Sequence, residues 1–308
     1  HPGEPDGIDA CIQLVKSFSE NSKLIPDSVI LCIVPVYNID GSLQRNSVMR
    51  MNQNGPEEFG FRGNGQNLDL NRDFIKCDAE NTRSIEKIFR QWNQDILIDT
   101  HVSNGADYTY TMTLIATQRC KLSAPLSKVL TEKILPGVYK GMEQKSNPIC
   151  PYVETHKETP DSGIVEFMET PRFMTGYAAL FNCIGFVTES HMLKPYAQRV
   201  KATGQILETL IETSAKNRKE ILLARNKAND LLKEKSYFPF NWKLNENKAD
   251  TFLFAGYAAK HKTSSISGLQ RLYYDRAEPW KKKIPFYNTY TAKDSVQKPP
   301  AYIIPQAW

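Results

Sequence analysis

The stretch Asp95-Ile96-Leu97-Ile98-Asp99-Thr100-His101 sets three consecutive branched aliphatic residues between two aspartates and closes on an imidazole. A short apolar run, followed by the polar loop Ser103-Asn104-Gly105-Ala106-Asp107, reads as a buried strand with His101 just past its end. Upstream, Ala79 to Trp92 has the pattern of a helix, and residues 9 to 21 set Cys11, Ile12, Val15 and Phe18 on one helical face. Between these helices Val29 to Pro35 predicts a second buried strand. Helices alternating with apolar strands imply an α/β fold, with a mixed, mostly parallel sheet flanked by helices. Such sheets bind ligands at the carboxyl ends of their strands, which makes His101 a candidate ligand and Asp99 a candidate partner that orients it. The plainer alternative is a surface histidine beside an aspartate that caps the loop.

The alternation of Tyr108, Tyr110, Met112 and Leu114 predicts a strand over residues 104 to 118, and Leu122 to Leu135 a helix closed by Pro136-Gly137. The last part of Ala178 to Thr188 reads as a central strand that delivers Glu189 at its end, and Ser190 to Arg199 begins a helical stretch. From about Leu193 to Lys235 the pattern is helical, broken near Ser214-Ala215. Beyond Tyr237 the texture changes to short aromatic and β-branched stretches (251–258, 272–274, 284–290, 301–304) punctuated by proline. The division is therefore a catalytic unit over 1–235 and a small β-rich accessory region over 236–308, whose end at Pro305-Gln306-Ala307-Trp308 has the look of a cut.

A metal-ligand set can be assembled from His1, Glu4 and His101: two imidazoles and one carboxylate fill three positions of a catalytic zinc and leave one open. The two-residue gap of His1-Pro2-Gly3-Glu4 suits a turn, whereas the helical zinc motif His-Glu-x-x-His does not occur. Taken alone, His1 is equally a solvated chain terminus. Asn71-Arg72 offers an amide and a guanidinium fork for a carboxylate. Arg62 lies in the glycine-rich run Gly60-Phe61-Arg62-Gly63-Asn64-Gly65, where backbone can approach a ligand closely. Glu189 leaves an apolar strand as an acid that must be solvated, paired or functional, either a general base or an acid at a helix amino end.

The order of these segments resembles that of the zinc carboxypeptidases of the carboxypeptidase A type. In that family His-x-x-Glu is followed by an Asn-Pro-Asp-Gly-like segment, Asp-Leu-Asn-Arg-Asn-Phe, Asp-x-His and a strand-borne Glu. Here the second element is Val36-Tyr37-Asn38-Ile39-Asp40-Gly41 and the third Asp69-Leu70-Asn71-Arg72-Asp73-Phe74, over roughly the first 200 residues. The resemblance implies one zinc ion on His1, Glu4 and His101, the substrate carboxylate on Asn71 and Arg72, and Glu189 as base. It makes Arg62 the arginine facing the scissile carbonyl, ahead of Arg45 and Arg50, and Tyr177 the tyrosine capping the substrate. It further implies a peptide partner with a free C-terminal carboxylate and a secreted or periplasmic protein. Three departures stand out. The family carries strands and a helix before its first motif, where this chain starts; a free His1 amine would sit beside the metal; and Asp73 in place of Asn would make the pocket more acidic and disfavour anionic substrate side chains. A deacylase or cell-wall amidase on the same scaffold, and a non-catalytic carboxylate-binding module, are the alternatives.

Composition agrees with this. Hydrophobic residues make up 41% of 308 and charged residues 24%, ordinary for a globular chain with one large core. A net charge of +5, with Lys281-Lys282-Lys283 as the one compact basic run, suits a solvated loop and not a nucleic-acid partner. No apolar stretch reaches the roughly 18 residues of a membrane span. The six cysteines contain no Cys-x-x-Cys and offer neither a structural zinc site nor a redox motif.

Overall fold

The structure is a computed structural model and describes residues 1–306; the last two residues of the sequence-predicted cut end lie outside the described residues. In chain order its first half comprises α1 (Asp6–Glu20), α2 (Ile39–Leu43), α3 (Glu80–Trp92), β1 (Ile96–Ser103), β2 (Met112–Ala116), α4 (Ala124–Val129), α5 (Leu135–Gln144) and β3 (Ile149–Pro151). Then come β4 (Glu154–Thr155), β5 (Ile164–Val165), α6 (Met174–Ala179), β6 (Ile184–His191), α7 (Tyr196–Lys216) and α8 (Arg218–Glu234). The remaining strands are β7 (Tyr237–Leu244), β8 (Asp250–Thr263), β9 (Gln270–Tyr287) and β10 (Tyr290–Gln297).

The central sheet has the order β1-β6-β2-β3, with β1 parallel to β6, β6 antiparallel to β2 and β2 parallel to β3. On one face Met112, Leu114, Ile184 and Phe186 meet Leu126, Ile206 and Leu210 of α4 and α7, all within one buried cluster. Complete burial of each such side chain contributes about 1.5–3 kcal/mol, so this cluster fixes how the helices sit on the strands. α1 packs close to β1 at Gly7, where a Cβ would lie 1.9 Å from Thr100 Oγ1. Any larger residue would lift α1, and with it Glu4, away from His101.

A second sheet, β4-β5-β9-β8, holds the long β8–β9 hairpin, and β7 pairs with β10 alone. Phe254 and Ile284 of the hairpin share a buried core with Tyr108, Tyr110, Cys150 and Ile164. Beside it Asp107 accepts from Arg276 Nε at 2.6 Å and lies 3.4 Å from Lys194 Nζ.

Several local expectations are corrected. Val29 to Pro35 is not a buried strand: its residues alternate between half-buried and exposed, Ile30 is 81% exposed, and the edge of β1 away from β6 has no partner. Apolar content favours a strand, but a strand exists only where a neighbouring edge completes its hydrogen bonds. On α1 the buried face is Ala10 and Leu14, while Ile12 and Val15 point outward at 56% and 49% exposure. β2 is shorter than 104–118: of the alternating residues only Met112 and Leu114 lie in it, and it is buried at all five positions, on both faces. The helix of 124–144 runs through Pro136-Gly137, since a π-helical turn at Leu130–Ile134 widens the coil just before the proline, which has no N–H to donate. β1 and β6 continue past His101 and Glu189, so both are strand residues and Glu189 is not a helix-end acid. Lys281 to Lys283 lie exposed within β9, not in a loop. Residues 301–304 form no strand.

Glu169 is 1% exposed, and neither carboxyl oxygen has a hydrogen-bond partner among the described residues. Burial pushes this carboxyl up to about 7, against the nearby Lys121 ammonium. A carboxyl raised in the folded state contributes its full stability below the unfolded value near 4.5 and loses it as the pH rises through about 7. Glu169→Gln should therefore flatten the decline, gaining roughly 1–3 kcal/mol over the parent at pH 8 relative to pH 5, as read from urea unfolding. Parallel curves for the two proteins would contradict this.

Candidate metal centre and its surroundings

His1, Glu4 and His101 come together as the only such group of metal-ligating side chains among the described residues, with their donor atoms within 4.8 Å of one another. Glu4 is the hub. Its Oε1 stands 3.1 Å from His1 Nδ1 and accepts from Arg50 Nη1 at 2.7 Å; its Oε2 stands 2.8 Å from His101 Nδ1 and accepts from Val102 N at 3.1 Å. Each imidazole therefore turns Nδ1 toward Glu4 and has a carboxylate behind it. His1 Nε2 is 3.0 Å from Asp69 Oδ1, and His101 Nε2 is 3.0 Å from Asp99 Oδ2, with Asn71 Nδ2 at 3.2 Å. A carboxylate on the far nitrogen fixes ring orientation and raises ligand basicity, the usual support of a metal-binding histidine.

The protonation of the metal-free cluster reflects this crowding. Burial alone would lower the His101 imidazole, but Asp99 and Glu4 reverse it and hold it up to about 10. Burial opposes ionisation of Glu4, yet the amino-terminal ammonium, His101 and Arg50 together hold its carboxyl well below the usual range. The two imidazoles and one carboxylate thus fit a divalent cation, which would take the place of the protons now shared among them.

Glu189 stands opposite His101 in the parallel β1–β6 register, so the two side chains leave the sheet on the same face. Its carboxylate makes no hydrogen bond to any described residue, and burial, aided by the charges of Glu4 and Asp99, pushes it up to about 7 against His101 and Arg50. Three segments around this point are tied by one fully buried guanidinium. Arg199 Nε donates to Asp6 Oδ1 at 2.7 Å, two residues after Glu4; Nη1 donates to Asn54 O and Lys194 O at 2.8 Å; Nη2 donates to Gly55 O at 2.9 Å. Ser190, next to Glu189, also donates to Asp6.

Arg62 reaches the rim of the cluster. Its Nε and Nη2 hold Asp69 Oδ2 at 2.8 Å, and Nη1 lies 3.5 Å from His1 Nδ1. Arg45 instead pairs with Glu58 at the surface, and Arg50 sits beneath Glu4, where Nη2 also donates to Val102 O at 2.9 Å. The glycines around Arg62 do not open the backbone to a ligand. A Cβ on Gly60 would lie 2.5 Å from Pro2, and Gly60 N donates to Pro2 O, so the run is pinned to the His1–Glu4 turn. Asn71 faces His101, while Arg72 lies 4.4 Å over the Phe173 ring and has no carboxylate partner among the described residues.

Two expectations fail here. Tyr177 does not stand over the cleft but packs among Phe74, Phe89 and Phe181 at centroid distances of 5.8, 5.7 and 5.1 Å, because α6 turns that face into an aromatic cluster. Asp73 does not acidify the pocket: it is 3% exposed and accepts from Asp78 N and Ala79 N at the start of α3. Asp69 was missed at the cluster, and Arg50, named only as a substitute for Arg62, instead supports Glu4. Asp69 was legible as the acid two before Asn71, whereas nothing local to Arg50 signals that it pairs with Glu4.

Asp69→Ala, which removes the carboxylate behind His1, should weaken metal binding by about 10–100-fold with the fold intact. Competition with a chelator measures this, and unchanged affinity would mean that His1 is oriented by something else.

No protein-family model matches the chain, and no curated protein sequence matches it. Solved structures do. A metallo-carboxypeptidase from Burkholderia cenocepacia is similar over 69% of this chain and 55% of its own, at 17% identity and a TM-score of 0.50. A protein provisionally assigned as carboxypeptidase A from Shewanella denitrificans is similar over 71% of this chain and 55% of its own, at 16% identity and a TM-score of 0.51. The chain has a zinc carboxypeptidase-like fold and spans about 55% of the length of these two structures.

Proposed function

We propose that the protein is a zinc-dependent metallocarboxypeptidase that hydrolyses the C-terminal bond of peptides. The observation that carries this reading is the His1, Glu4, His101 cluster with the unbonded Glu189 carboxylate opposite His101 on the adjoining strand. A nitrogen, oxygen, nitrogen donor set suits zinc. Bound there, zinc supplies a Lewis acid for the scissile carbonyl and acidifies water. Ionised Glu189 takes the proton of the attacking water and returns it to the leaving amine. Arg62, at the rim, faces the oxygen on which charge develops. Asn71 and Arg72 hold the terminal carboxylate and so set which bond reaches the metal.

Arg72 supports an exopeptidase over an amidase or deacylase, since a half-buried guanidinium with no acidic partner is free to take one from substrate. Losing a hydrogen bond to a charged group costs roughly 1.5–3 kcal/mol, so Arg72→Ala should lower kcat/KM for free-carboxylate peptides about 10–100-fold. Amidated peptides should be poor substrates of the parent and little altered by the change. If the parent cuts both kinds equally, the activity is that of an amidase; if a zinc-loaded protein cuts neither these peptides nor N-acyl amino acids, it is a binding module.

A further inference from the structure

A second cavity, of about 280 Å³, lies between the helical side of the central sheet and the β8–β9 hairpin. This is near the lower limit of roughly 300 Å³ for ligand pockets, which favour junctions between structural units. Five aromatic rings line it: Tyr139 from α5, Tyr152 after β3, Phe167, and Phe252 and Phe286 from the hairpin. They meet edge to face, Tyr139 with Phe252 at 6.3 Å, Phe252 with Phe286 at 6.5 Å and Tyr152 with Phe167 at 6.0 Å. All five are half-buried, since each keeps part of its surface toward the cavity.

The charges on the wall have one sign. Glu166 and Asp250 line the cavity, and no Lys, Arg or His does. Asp250 is answered by Asn288 Nδ2 at 2.6 Å and Arg119 at 3.7 Å, but Glu166 accepts only the neutral amide of Gln118, at 2.6 Å. The charge of the buried Glu169, whose carboxyl has no hydrogen-bond partner among the described residues, acts on Glu166, and Arg119 opposes that charge. Burial and then the charge of Glu169 push the Glu166 carboxyl up to about 8, so it holds a proton at neutral pH, and a cation entering the cavity would favour its ionised form. Ring faces attract such a cation as well, most of all once water is excluded.

We propose that this cavity is a binding site for a small organic ammonium ion, held by the five rings and the Glu166 carboxylate, separate from the metal cleft. The site is independent of the proposed peptidase activity.

The test uses the full chain with choline as probe and 3,3-dimethyl-1-butanol, its uncharged isostere, as control, both followed by calorimetry at about pH 9, above the value of about 8 to which burial raises Glu166. Choline should bind saturably and at least about tenfold more tightly than the alcohol, as cation–π attraction and one ion pair together require. Glu166→Gln keeps an acceptor for Gln118 but removes the charge, and should weaken choline about tenfold. Ala116→Leu, which fills the cavity from β2, should abolish binding, whereas His101→Ala in the metal cleft should leave it unchanged. Circular dichroism and thermal unfolding establish that each variant is folded. Equal affinity for choline and the alcohol, no saturation by choline, choline binding unaltered in folded Glu166→Gln, or loss of binding in folded His101→Ala would each overturn the proposal.

Discussion

Glu189→Gln should leave metal content and substrate binding in place and lower turnover by about 10²–10⁴, the usual worth of a positioned acid–base group. The amide matches the carboxylate in shape, so the strand pairing of β6 with β1 and β2 is untouched. What it lacks is a basic oxygen in the place where Glu189 makes no hydrogen bond and waits opposite His101. The sign of the pH effect follows. In the metal-free protein burial holds this carboxyl up at about 7, and only its ionised form accepts a proton, so parent activity climbs as it ionises. A bound cation favours ionisation and moves the climb to lower pH. The residual activity of the Gln variant should lack that acid limb. Metal analysis with kcat and KM measured across pH decides the matter; unchanged turnover in a metal-loaded variant would show that Glu189 is not the base.

The second large effect is expected at His101. His101→Ala removes one of three donors and should take metal content from about one ion per chain to nearly none, with activity lost in proportion. The change also strands Glu4 and Asp99, whose carboxylates lie 2.8 and 3.0 Å from the ring, and breaking a buried pair from one side costs about 3–5 kcal/mol. His101→Gln, which keeps a donor for one of them, separates metal loss from unfolding. His261→Ala is the control, since that ring is exposed on β8 and pairs only with Glu158. A domain of this size should keep its secondary structure without metal, unlike a small zinc finger. Equal metal in the parent and in either folded His101 variant would remove it from the ligand set.

Neither variant tests the surroundings of the cluster, which depend on parts distant in sequence. Arg50 reaches Glu4 only because the loop of residues 50–55 is held on one side by Gln53 donating to Gly3 O at 3.1 Å and on the other by Arg199. The geometry at Glu4 is therefore set jointly by α1, that loop and α7. A substitution in any of them would be expected to act through the orientation of Glu4.

The sequence by itself determined which residues are candidates for the site and the local elements that carry them. His1-x-x-Glu4, Asp99-Thr100-His101, Asn71-Arg72 and Glu189 were legible because side-chain type and short spacing are local properties, as is the periodicity that marks α3 and the strand before His101. Only the tertiary structure decided where those elements found partners. Val29 to Pro35 had a strand's composition but does not pair with the free edge of β1; Tyr177 had a capping tyrosine's position in order but the inward face of α6 in space; Asp73 resembled a pocket acid but serves the backbone at the start of α3. Asp69 behind His1 and Arg50 beneath Glu4 were settled likewise by which surfaces meet. Hydrogen-bond partners and burial are properties of contact between segments, so periodicity and spacing within a segment do not contain them.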